Sequence, residues 1–322
     1  LDIFLAKFDS AGTFYASSAE DNSTATYESV VTLHNLDDDT DVTVAVSSSD
    51  TGEATVSPAT LTFTEANWNT AQTVTVTGVN DNNADGHQDY DISLSELVVS
   101  SKALDFDGTN DYVDVGDFSL GGNLTFEAWM QYDSRATWSR VFDFSENGGA
   151  DDNIWLGLES NSGKISFEVL LGSSKSRLSD GDGGQTAYGQ VPINGTWIHV
   201  AATISGTAGS TNGTGKLYVN GNLVGTKTNM YVPAVMTRNK QYLGKSNWNG
   251  DSYLDAKMDE FRIWDYVRTQ SEIQATMNNS LTGSESGLVA YYKMNDGSGT
   301  SLIDSSSNSN TGTLTNMTDA NW

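Results

Sequence analysis

The sequence predicts an all-β protein: a small β-sandwich followed by a larger two-sheet jelly roll that carries one short helix. Two observations support this fold class. Short runs of alternating apolar and polar residues recur along the chain, and stretches rich in Gly, Ser, Asn and Asp separate them. The 8 Trp, 13 Tyr and 11 Phe supply the bulk that a packed core needs. With 322 residues, the chain is long enough for two domains.

The first β-sandwich is predicted over residues 21–101. Strands with period-two alternation occur at VTVAVS (42–47), LTFT (61–64) and TVTVT (73–77), and another follows at 92–99. The stretch VSPATLTFTEANWNTAQTVTVTGVNDNNADGHQDYDISL resembles the Calx-β-like modules of bacterial surface proteins, which have an immunoglobulin-like sandwich fold. The resemblance implies that this unit is a structural module.

Residues 1–20 precede this module. The stretch DIFLAKFDSAGTF resembles one short repeat of a bacterial β-propeller-related family. A single repeat of that kind cannot bury its own apolar face. We therefore interpret the segment either as a fragment of such a repeat or as an edge strand of the module.

The second domain is predicted over residues 102–322. Asn220-Gly221 lies between two alternating arms and predicts a type I′ hairpin, which needs positive φ at both central residues. Thr269 and Glu272 have capping-box spacing at the start of a predicted helix, Gln270–Met277. Many short strands with turn residues between them are typical of a sandwich or jelly roll. The predicted strands are 103–107, 112–115, 124–131, 140–144, 153–158, 164–170, 197–204, 215–219, 223–226, 241–244, 259–264 and 287–293.

Six blocks of this domain occur in an order that resembles a known family. They are ALDFDGTNDYVDV, LTFEAWM, GTWIHVAATI, GKLYVNGNLVGT, YLGKSNWNGDSYLDAKMDEFRIWDYVRTQSEI and GLVAYYKMNDGSGTSLIDSSSNSNTGTLTN. Together they resemble the laminin-G-like, pentraxin-related concanavalin A-type lectin domains of bacterial secreted proteins. The resemblance implies a two-sheet jelly roll at an extracellular or cell-surface location. It does not imply a ligand, because this fold serves lectins, enzymes and spacers.

The resemblance also implies a structural Ca²⁺ near the FDG turn, with Asp107, Asn110, Asp111 and Asp259 as ligands. Calcium takes six to eight oxygens from carboxylates, amides and backbone carbonyls, and an Asp-Gly-Thr-Asn-Asp turn supplies such oxygens on a sharply bent backbone. The alternative is an acidic turn without a bound ion.

A second acidic loop contains Asp81, Asp85 and Asp91, with Gly86 directly after the second of them. A loop of this kind can wrap a calcium ion, although it lacks the twelve-residue spacing and the final Glu of an EF-hand. The alternative is a hydrophilic turn, which Asn and Asp favour for conformational reasons alone.

The candidate ligand-binding residues lie in polar stretches whose composition is typical of loops. Trp138 and Trp248 have no alternating apolar neighbours, and function concentrates on loops that a rigid scaffold holds. Residues 172–190 form a long polar segment that is another candidate rim. Alternatively, these side chains cover the end of the sandwich or contact a neighbouring domain. The candidates on the rim are Arg177, Asp180, Asp182 and Tyr188. Four tryptophans within predicted strands are expected in the core instead: Trp129, Trp155, Trp197 and Trp264.

The charge and the residue types restrict the function classes. The formal net charge is −26, and residues 1–102 carry 17 acidic and two basic side chains. Such an excess repels phosphate backbones, so we expect no nucleic-acid partner. The absence of Cys removes thiolate metal sites and disulfides. No apolar run approaches the roughly 18 residues of a membrane span, so we expect no membrane insertion.

Catalysis is not expected from the pattern of acidic residues. Glycoside hydrolases on this fold need two carboxylates about 5–9 Å apart, which on a strand means acids two or four residues apart. Glu127, Glu159 and Glu168 are each isolated on their predicted strands, and no G-x-S-x-G motif is present. A glycoside hydrolase is therefore the least favoured interpretation.

The sequence thus favours a non-catalytic, calcium-stabilised module that binds a glycan or a cell-surface polysaccharide. We expect it to belong to a secreted or surface-anchored bacterial protein. Because the chain begins at Leu1, without an initial Met and without a signal-like apolar segment, we expect it to be a processed piece of that protein or a part cut from a longer chain. The alternative is a structural spacer, or a filament or stalk subunit, that contacts neighbouring domains or copies of the parent protein.

Overall fold

The structure is a computed structural model. It describes residues 2–6, 26–34, 42–64, 67, 70–79, 90–94, 98–99, 103–149 and 151–322. The chain divides into two compact units, Leu1–Ser101 and Lys102–Trp322. The predicted all-β fold class with one short helix is confirmed.

The described residues of unit 1 form two antiparallel sheets with eight strands in all. One has the order β1-β2-β6-β4, so that β1 is an edge strand, and in the other β3 pairs with β5, β7 and β8. Inward-facing Val44, Val46, Leu61, Phe63 and Val74 form its core. The strands are β1 (Asp2–Ala6), β2 (Thr26–His34), β3 (Val42–Ser48), β4 (Ala54–Ser57), β5 (Thr60–Phe63), β6 (Gln72–Gly78), β7 (Ile92–Leu94) and β8 (Val98–Val99).

Unit 2 contains two large antiparallel sheets and one short helix, α1 (Gln270–Thr276). The first strands along the chain are β9 (Leu104–Asp107), β10 (Tyr112–Asp114), β11 (Phe118–Leu120), β12 (Leu124–Tyr132), β13 (Arg140–Ser145), β14 (Ile154–Leu158), β15 (Ile165–Leu171) and β16 (Ser174–Ser179). The others are β17 (Ile198–Ser205), β18 (Gly213–Val219), β19 (Asn222–Met230), β20 (Met236–Arg238), β21 (Lys240–Leu243), β22 (Asp255–Trp264), β23 (Leu288–Tyr292), β24 (Ser301–Leu302) and β25 (Gly312–Thr315).

The two large sheets of unit 2 enclose one hydrophobic core. The eight-stranded sheet has the order β16-β15-β14-β13-β21-β10-β25-β24; the seven-stranded sheet has the order β19-β18-β17-β12-β22-β23, with β9 paired to β22. Phe126 of the seven-stranded sheet stacks on Phe142 of the eight-stranded sheet, with ring centroids 4.3 Å apart. Because successive strand residues point to opposite faces, each sheet also has an outer face on which polar side chains alternate with these core residues.

Two local predictions are confirmed and one is wrong. Asn220 and Gly221 have φ of 49° and 69° and join β18 to β19 as a tight hairpin. Thr269 and Glu272 form the capping box of α1. The polar segment 172–190 is not a loop throughout, because its first part forms β16 at the edge of the eight-stranded sheet. Its Ser- and Lys-rich composition hid the alternation that brings Leu178 into the core.

Helix α1 covers the outer face of the seven-stranded sheet. Its buried Ile273 packs against Ala201 and Tyr218 of that sheet. Arg262 donates to the carbonyls of Thr276 and Asn279 at 2.9 and 2.6 Å, which satisfies oxygens that a helix end leaves free. Arg268 donates to the Glu272 carbonyl at 2.8 Å, and Trp129 Nε1 donates to the Met277 carbonyl.

Beneath α1 lies a buried ion network centred on Glu127. Glu127 is 0% exposed, contacts Arg268, and has an oxygen 3.5 Å from His199 Nε2. Burial acts to raise the pKa of Glu127, but the close contact with His199 and the charges of His199, Arg268 and Arg262 lower it to about 2. This carboxylate is therefore ionised in the native state and depends on its partners.

Candidate functional site

A polar row crosses the outer face of the eight-stranded sheet. Its residues lie directly opposite one another on successive strands, and their neighbours along each strand, such as Phe167, Leu156 and Phe142, point into the core. The row therefore faces away from the seven-stranded sheet. From β16 to β10 it consists of Arg177, Glu168, Trp155, Asp143, Tyr242 and Asp114.

Two arginines and three tryptophans cluster around Trp155 and Arg177 of this row. We call this cluster the tryptophan platform, and its residues are Trp138, Arg140, Trp155, Arg177 and Trp248. The Arg140 guanidinium carbon lies 3.9 Å from the Trp155 ring centroid, 5.8 Å from that of Trp138 and 5.6 Å from that of Trp248. The Arg177 guanidinium carbon lies 4.7 Å from the Trp138 centroid. These are cation–π distances. Trp138 and Trp248 remain partly exposed, whereas Trp155 and Arg140 are buried beneath them.

Arg140 joins the two loops that carry the exposed rings. Its guanidinium donates to the Trp138 carbonyl at 2.6 Å and to the Asp251 carboxylate at 2.9 Å. Asp251 also accepts from Ser246 Oγ at 2.7 Å, and the Trp248 amide donates to that same hydroxyl oxygen at 3.1 Å. Arg140 is therefore a positioning residue for both indole rings.

A glycine allows the loop of Trp138 to approach the sheet. A Cβ at Gly157 of β14 would collide with the Ser139 carbonyl oxygen and lie 2.9 Å from the Arg140 Cα. The Leu158 amide donates to that carbonyl at 2.9 Å. Trp138 has φ of 58°, in the left-handed region that a large side chain rarely adopts. The hydrogen bond from the Arg140 guanidinium to the Trp138 carbonyl holds the backbone of Trp138 in this conformation.

Asp143 is a buried acceptor behind Arg140 and Trp248. It is 0% exposed and accepts from Asn153 Nδ2 at 2.7 Å and from the Asn247 amide at 3.0 Å. Burial raises the pKa of Asp143 despite the nearby Arg140 charge and these hydrogen bonds, and burial lowers the pKa of Arg140 despite its carboxylate partners. The hydrogen bonds to Asn247 fix the start of the Trp248 loop.

Two glutamates converge on Arg177. Glu168 accepts from Arg177 Nε at 2.8 Å, and Glu159 lies 3.4 Å from Arg177 Nη1. Trp155 Nε1 also donates to Glu168, at 3.1 Å. As predicted, neither glutamate has another acidic residue two or four positions away along its own strand. The pairing of β14, β15 and β16 nevertheless brings both glutamates to one guanidinium.

Two cavities are relevant to ligand binding. A cavity of about 110 Å³ lies beside Trp248 and is lined also by Lys245, Ser246, Asn249, Gly250, Asp251, Ser252 and Tyr253. A more open cavity of about 630 Å³ lies near β11 and β23. Two of its amides, Asn308 and Asn310, already donate to the Val289 carbonyl at 3.0 Å. The smaller cavity adjoins the exposed rings and accommodates a ligand substituent rather than a whole ligand.

The structure brings together only some of the predicted ligand-binding residues. Trp138, Arg177 and Trp248 meet in the tryptophan platform. Asp180 is buried and accepts from the amides of Tyr188 and Gly189, both at 2.7 Å, and Asp182 accepts from the Ser179 amide at 2.8 Å. These two aspartates shape the 180–190 segment, on which Tyr188 is 39% exposed.

Of the four strand tryptophans expected in the core, Trp155 and Trp264 are buried, at 1% and 2% exposure, but neither belongs to the main core between the two large sheets. Trp155 is buried on the outer face, because its position in β14 is opposite in direction to that of Ile154 and Leu156. Trp264 belongs to a separate small cluster, and Trp129 and Trp197 are only partly buried.

The Asp107–Asp111 turn contains three of the predicted metal ligands. Asp107 Oδ1 accepts from the amides of Thr109 and Asn110 at 2.8 and 3.4 Å. The Asp111 carboxylate is 2% exposed and accepts from the Asp107 amide at 3.2 Å and from Asn321 Nδ2 at 3.0 Å. Burial raises the pKa of Asp111, and the charge of Asp107 raises it further, against those hydrogen bonds.

The fourth predicted ligand, Asp259, is not brought to this turn. Asp107 pairs with Asp255 across β9 and β22, and a Cβ at Gly108 would lie 2.8 Å from the Asp255 Cβ. Asp259 is opposite Trp129, four residues further along β22, which corresponds to about 13 Å. Asp255 is thus the carboxylate that the fold places beside the turn. Oxygen donors of this kind suit a calcium ion.

Two residues of the second predicted acidic site, Asp81 and Asp85, lie outside the described residues. Asp91 is exposed, just before β7, and its amide donates to Ser49 Oγ at 2.8 Å. Sequence reasoning did not single out another acidic group, Glu146, Asp151 and Asp152. Its carboxylate oxygens lie within 4.8 Å of one another, and it is the one such group of three within the described part of the chain.

Comparison with known proteins identifies the family and gives more distant structural likenesses. Residues 107–274 match the concanavalin A-like lectin/glucanases superfamily. No curated protein matches the chain. Among solved structures, a candidate carbohydrate-binding protein from Bacteroides ovatus ATCC 8483 has 16% identity and a TM-score of 0.44, covering 93% of each chain.

Two further structures have similar values. The CBM40 of the Ruminococcus gnavus IT-sialidase, bound to α2,3 sialyllactose, has 14% identity and a TM-score of 0.41 over 54% of this chain and 95% of its own. Domains LG4-5 of the mouse laminin α1 chain have 12% identity and a TM-score of 0.41 over 73% and 84%.

The described residues contain no helix with the length and apolar character needed to cross a membrane. The family match extends from the end of β9 into α1 and so includes the tryptophan platform and most strands of both large sheets, whereas β23, β24 and β25 lie beyond it. It spans more than half of the sequence. The chain therefore belongs to the concanavalin A-like lectin/glucanases superfamily.

Proposed function

We propose that this chain is a non-catalytic carbohydrate-binding module of a secreted or cell-surface bacterial protein, with adhesion to a glycan or surface polysaccharide as its role. In this proposal unit 1 is a Calx-β-like module that precedes the binding domain. The observation that carries the proposal is the tryptophan platform. Two partly exposed indole rings lie there beside carboxylates on the outer face of a rigid sheet.

The chemistry of a saccharide matches such a platform. A sugar ring has an apolar C–H face and a rim of hydroxyl groups. An indole ring supplies a large, stiff apolar surface, and its neighbours supply hydrogen-bond acceptors. Beside Trp248 the acceptor is Asp251. Near Trp138 it is Glu159, whose side chain is 29% exposed and contacts the same Arg177 guanidinium that lies over the Trp138 ring. Arg140 fixes both rings before a ligand arrives, which reduces the entropy lost on binding.

The pairing of the acidic residues supports the absence of catalysis. Glycoside hydrolysis needs one carboxyl group that is protonated when it meets the substrate. Glu159 and Glu168 both contact the Arg177 guanidinium, so each carboxylate already has a partner within the protein. Glu168 is also almost fully buried beneath the platform. This arrangement suits recognition rather than acid–base catalysis.

We also propose that a structural Ca²⁺ binds at the Asp107–Asp111 turn, with Asp255 in place of Asp259. Burial raises the pKa of Asp105; Lys257 opposes this, while Asp133, Asp255 and Asp107 raise it further. A bound cation would offset the repulsion among these carboxylates. The carboxylate oxygens of Asp107, Asp111 and Asp255 do not all lie within 4.8 Å of one another in the structure. The proposal therefore requires side-chain rotation on ion binding, after which these oxygens would hold the ion and join β9 to β22.

Melting curves with calcium and with EDTA test this cation site. A cation that binds only the native state raises the melting temperature by mass action, by several degrees at about 100 times its Kd. We expect Asp107→Asn and Asp255→Asn to abolish this shift and the matched variant Asp259→Asn to keep it. Loss of the shift in Asp259→Asn alone would restore the ligand set that the family resemblance implies, and an unchanged melt after chelation would refute the site.

A glycan array, followed by calorimetric titration of the best ligand, tests the proposed function. Trp138→Ala and Trp248→Ala should each weaken binding at least tenfold, because buried tryptophan contacts dominate interfaces of this kind. Trp197→Ala is the matched control, since Trp197 is also partly buried but precedes a strand of the other sheet. Silence of the native protein toward every glycan would favour a structural spacer instead.

A further inference from the structure

We propose that the tryptophan platform selects uncharged saccharides and rejects anionic ones such as sialylated or uronate-containing glycans. This inference rests on the proposed function, since it names the ligand class for the same site. It follows from how the two guanidinium groups of the platform are already used.

Both arginines are fully matched by carboxylates of the protein. Arg140 lies 2.9 Å from Asp251 and 3.7 Å from Asp143. Arg177 lies 2.8 Å from Glu168 and 3.4 Å from Glu159. Two positive charges therefore contact four negative ones, and this part of the face is net negative. An anionic ligand stacked on Trp138 or Trp248 would approach that negative field.

These carboxylates cannot easily leave to make room for a ligand anion. Asp143 and Glu168 have side-chain exposures of 0% and 3%, and each has further hydrogen bonds, from Asn247 and Trp155 respectively. Exposing a buried arginine by displacing its partner is costly. Glu159, at 29% side-chain exposure, is the partner with the most freedom to move.

The lysines of this face do not reverse its charge. Lys245 Nζ lies 4.0 and 4.5 Å from the ring centroids of Tyr112 and Tyr242, and Asp114 is the register partner of Tyr242. An anion beside Lys245 in the 110 Å³ cavity would also meet Asp251, which lines the same cavity.

Two exposed lysines lie further along the face. Lys175 is on the edge strand β16, opposite Leu170. Lys240 is opposite Ser145, which directly precedes the acidic group of Glu146, Asp151 and Asp152. Neither contributes a guanidinium or ammonium group to the stacked rings. Lys227 Nζ donates to the Arg177 carbonyl oxygen, and both guanidinium groups of the platform contact carboxylates of the protein. Within the described residues, each cation at the platform therefore already has a protein partner.

Calorimetric titration with pairs of oligosaccharides that share a core, one neutral and one carrying a single carboxylate, tests the inference. We expect the carboxylate to weaken binding at least tenfold at low salt. Added NaCl should narrow this difference, because it screens the repulsion, and should leave neutral binding unchanged. This salt titration uses the native protein and so does not depend on the folding of a variant.

A charge-removing variant localises the effect. Glu159→Gln should reduce the difference between the neutral and anionic ligands several-fold, because it leaves Arg177 with one carboxylate partner. Asp265→Asn is the control for net charge alone, because Asp265 is an exposed acid at the end of the seven-stranded sheet. It should leave the difference unchanged.

The outcomes separate this inference from the proposed function. Anionic ligands that bind as tightly as their neutral counterparts, or more tightly, would overturn the inference and leave glycan binding intact. Anionic binding that Lys245→Gln abolishes would overturn it in the same way. Failure of both ligand classes to bind would overturn the proposed function and the inference with it.

Discussion

The two outer faces of the jelly roll carry the same types of side chain, but these side chains have different roles. On the seven-stranded face, Glu127 lies among Arg262, Arg268 and His199, with Trp129 alongside. On the eight-stranded face, glutamates and aspartates likewise contact arginines beneath tryptophan rings. Both faces therefore carry a charged, aromatic row of the kind that cross-strand pairing stabilises.

The cover over each row makes the difference. Helix α1 covers the charged row of the seven-stranded sheet. Arg262 and Trp129 donate to carbonyls at the C-terminal end of the helix, and Arg268 donates to the Glu272 carbonyl in its first turn. On the eight-stranded face two loops provide the cover, and Trp138 and Trp248 stay partly exposed. Arginine–tryptophan chemistry is thus structural where it is sealed and available for recognition where only loops cover it.

The largest expected effect comes from breaking the sealed network. Arg268→Met should destabilise the protein by about 3–5 kcal/mol, because the charge of the fully buried Glu127 would lose a partner. The counterpart Arg177→Met should cost only about 1 kcal/mol, since Arg177 is 25% exposed and Glu168 keeps its bond from Trp155. Urea unfolding of both variants measures this, and equal losses would contradict the distinction between the faces.

The second effect is a pH dependence that originates on the sealed face. The folded-state pKa of Glu127 is about 2, below its ordinary value of 4.5. Its contribution of about 3 kcal/mol is therefore complete above pH 4.5 and is lost as the pH falls toward 2. Unfolding free energies at pH 5 and pH 2 should show this loss.

Glu127→Gln isolates that contribution from other groups. The pKa values of Asp105, Asp111 and Asp143 are raised, so protonation of these three relieves a penalty as the pH falls and acts in the opposite direction. The variant should therefore lose less stability than the native protein between pH 5 and pH 2. An identical loss in both proteins would show that Glu127 is not the responsible group.

The third effect concerns the loop cover of the platform. Gly157→Ala should cost about 1–3 kcal/mol and weaken glycan binding, because the added methyl group meets the Ser139 carbonyl and pushes the Trp138 loop outward. Gly184→Ala serves as the comparison, since no atom lies within 4 Å of its Cβ position and only its φ of 73° opposes the change. Unfolding and binding measurements on both variants check this, and unaltered binding in Gly157→Ala would contradict it.

The smallest effect comes from the helix cap on the sealed face. Thr269→Ala removes one half of the capping box and should cost about 1 kcal/mol. Glycan affinity should not change, because α1 covers the face opposite to the platform. A loss of affinity in this variant, measured by calorimetry, would mean that the two faces are coupled.

Local features were predictable because short-range chemistry decides them. The hairpin at Asn220-Gly221 requires positive φ at both residues, and the cap at Thr269 satisfies helix amides three residues away. Strand β16 was missed because exposed Ser and Lys residues mask its alternation. The role of Arg140 carried no sequence signal, since its partners Trp155 and Asp251 are 15 and 111 residues away.

The acidic turn shows the same division between features that nearby residues determine and features that depend on distant residues. Asp107 and Asp111 are close in sequence, so their proximity follows from the turn itself. The partner from β22 depends on strand register, and a shift of four residues along one strand moves a carboxylate by about 13 Å. That register brings Asp255 to the turn and places Asp259 opposite Trp129.

The sequence by itself determined the all-β class, the helix cap, the hairpin and the family resemblance, because each depends on residues that are neighbours along the chain. Only the tertiary structure decided which acids pair with which arginines and which tryptophans remain exposed. Those outcomes depend on strand order, on register and on whether a helix or a loop covers each face. These are long-range contacts, and no local pattern encodes them.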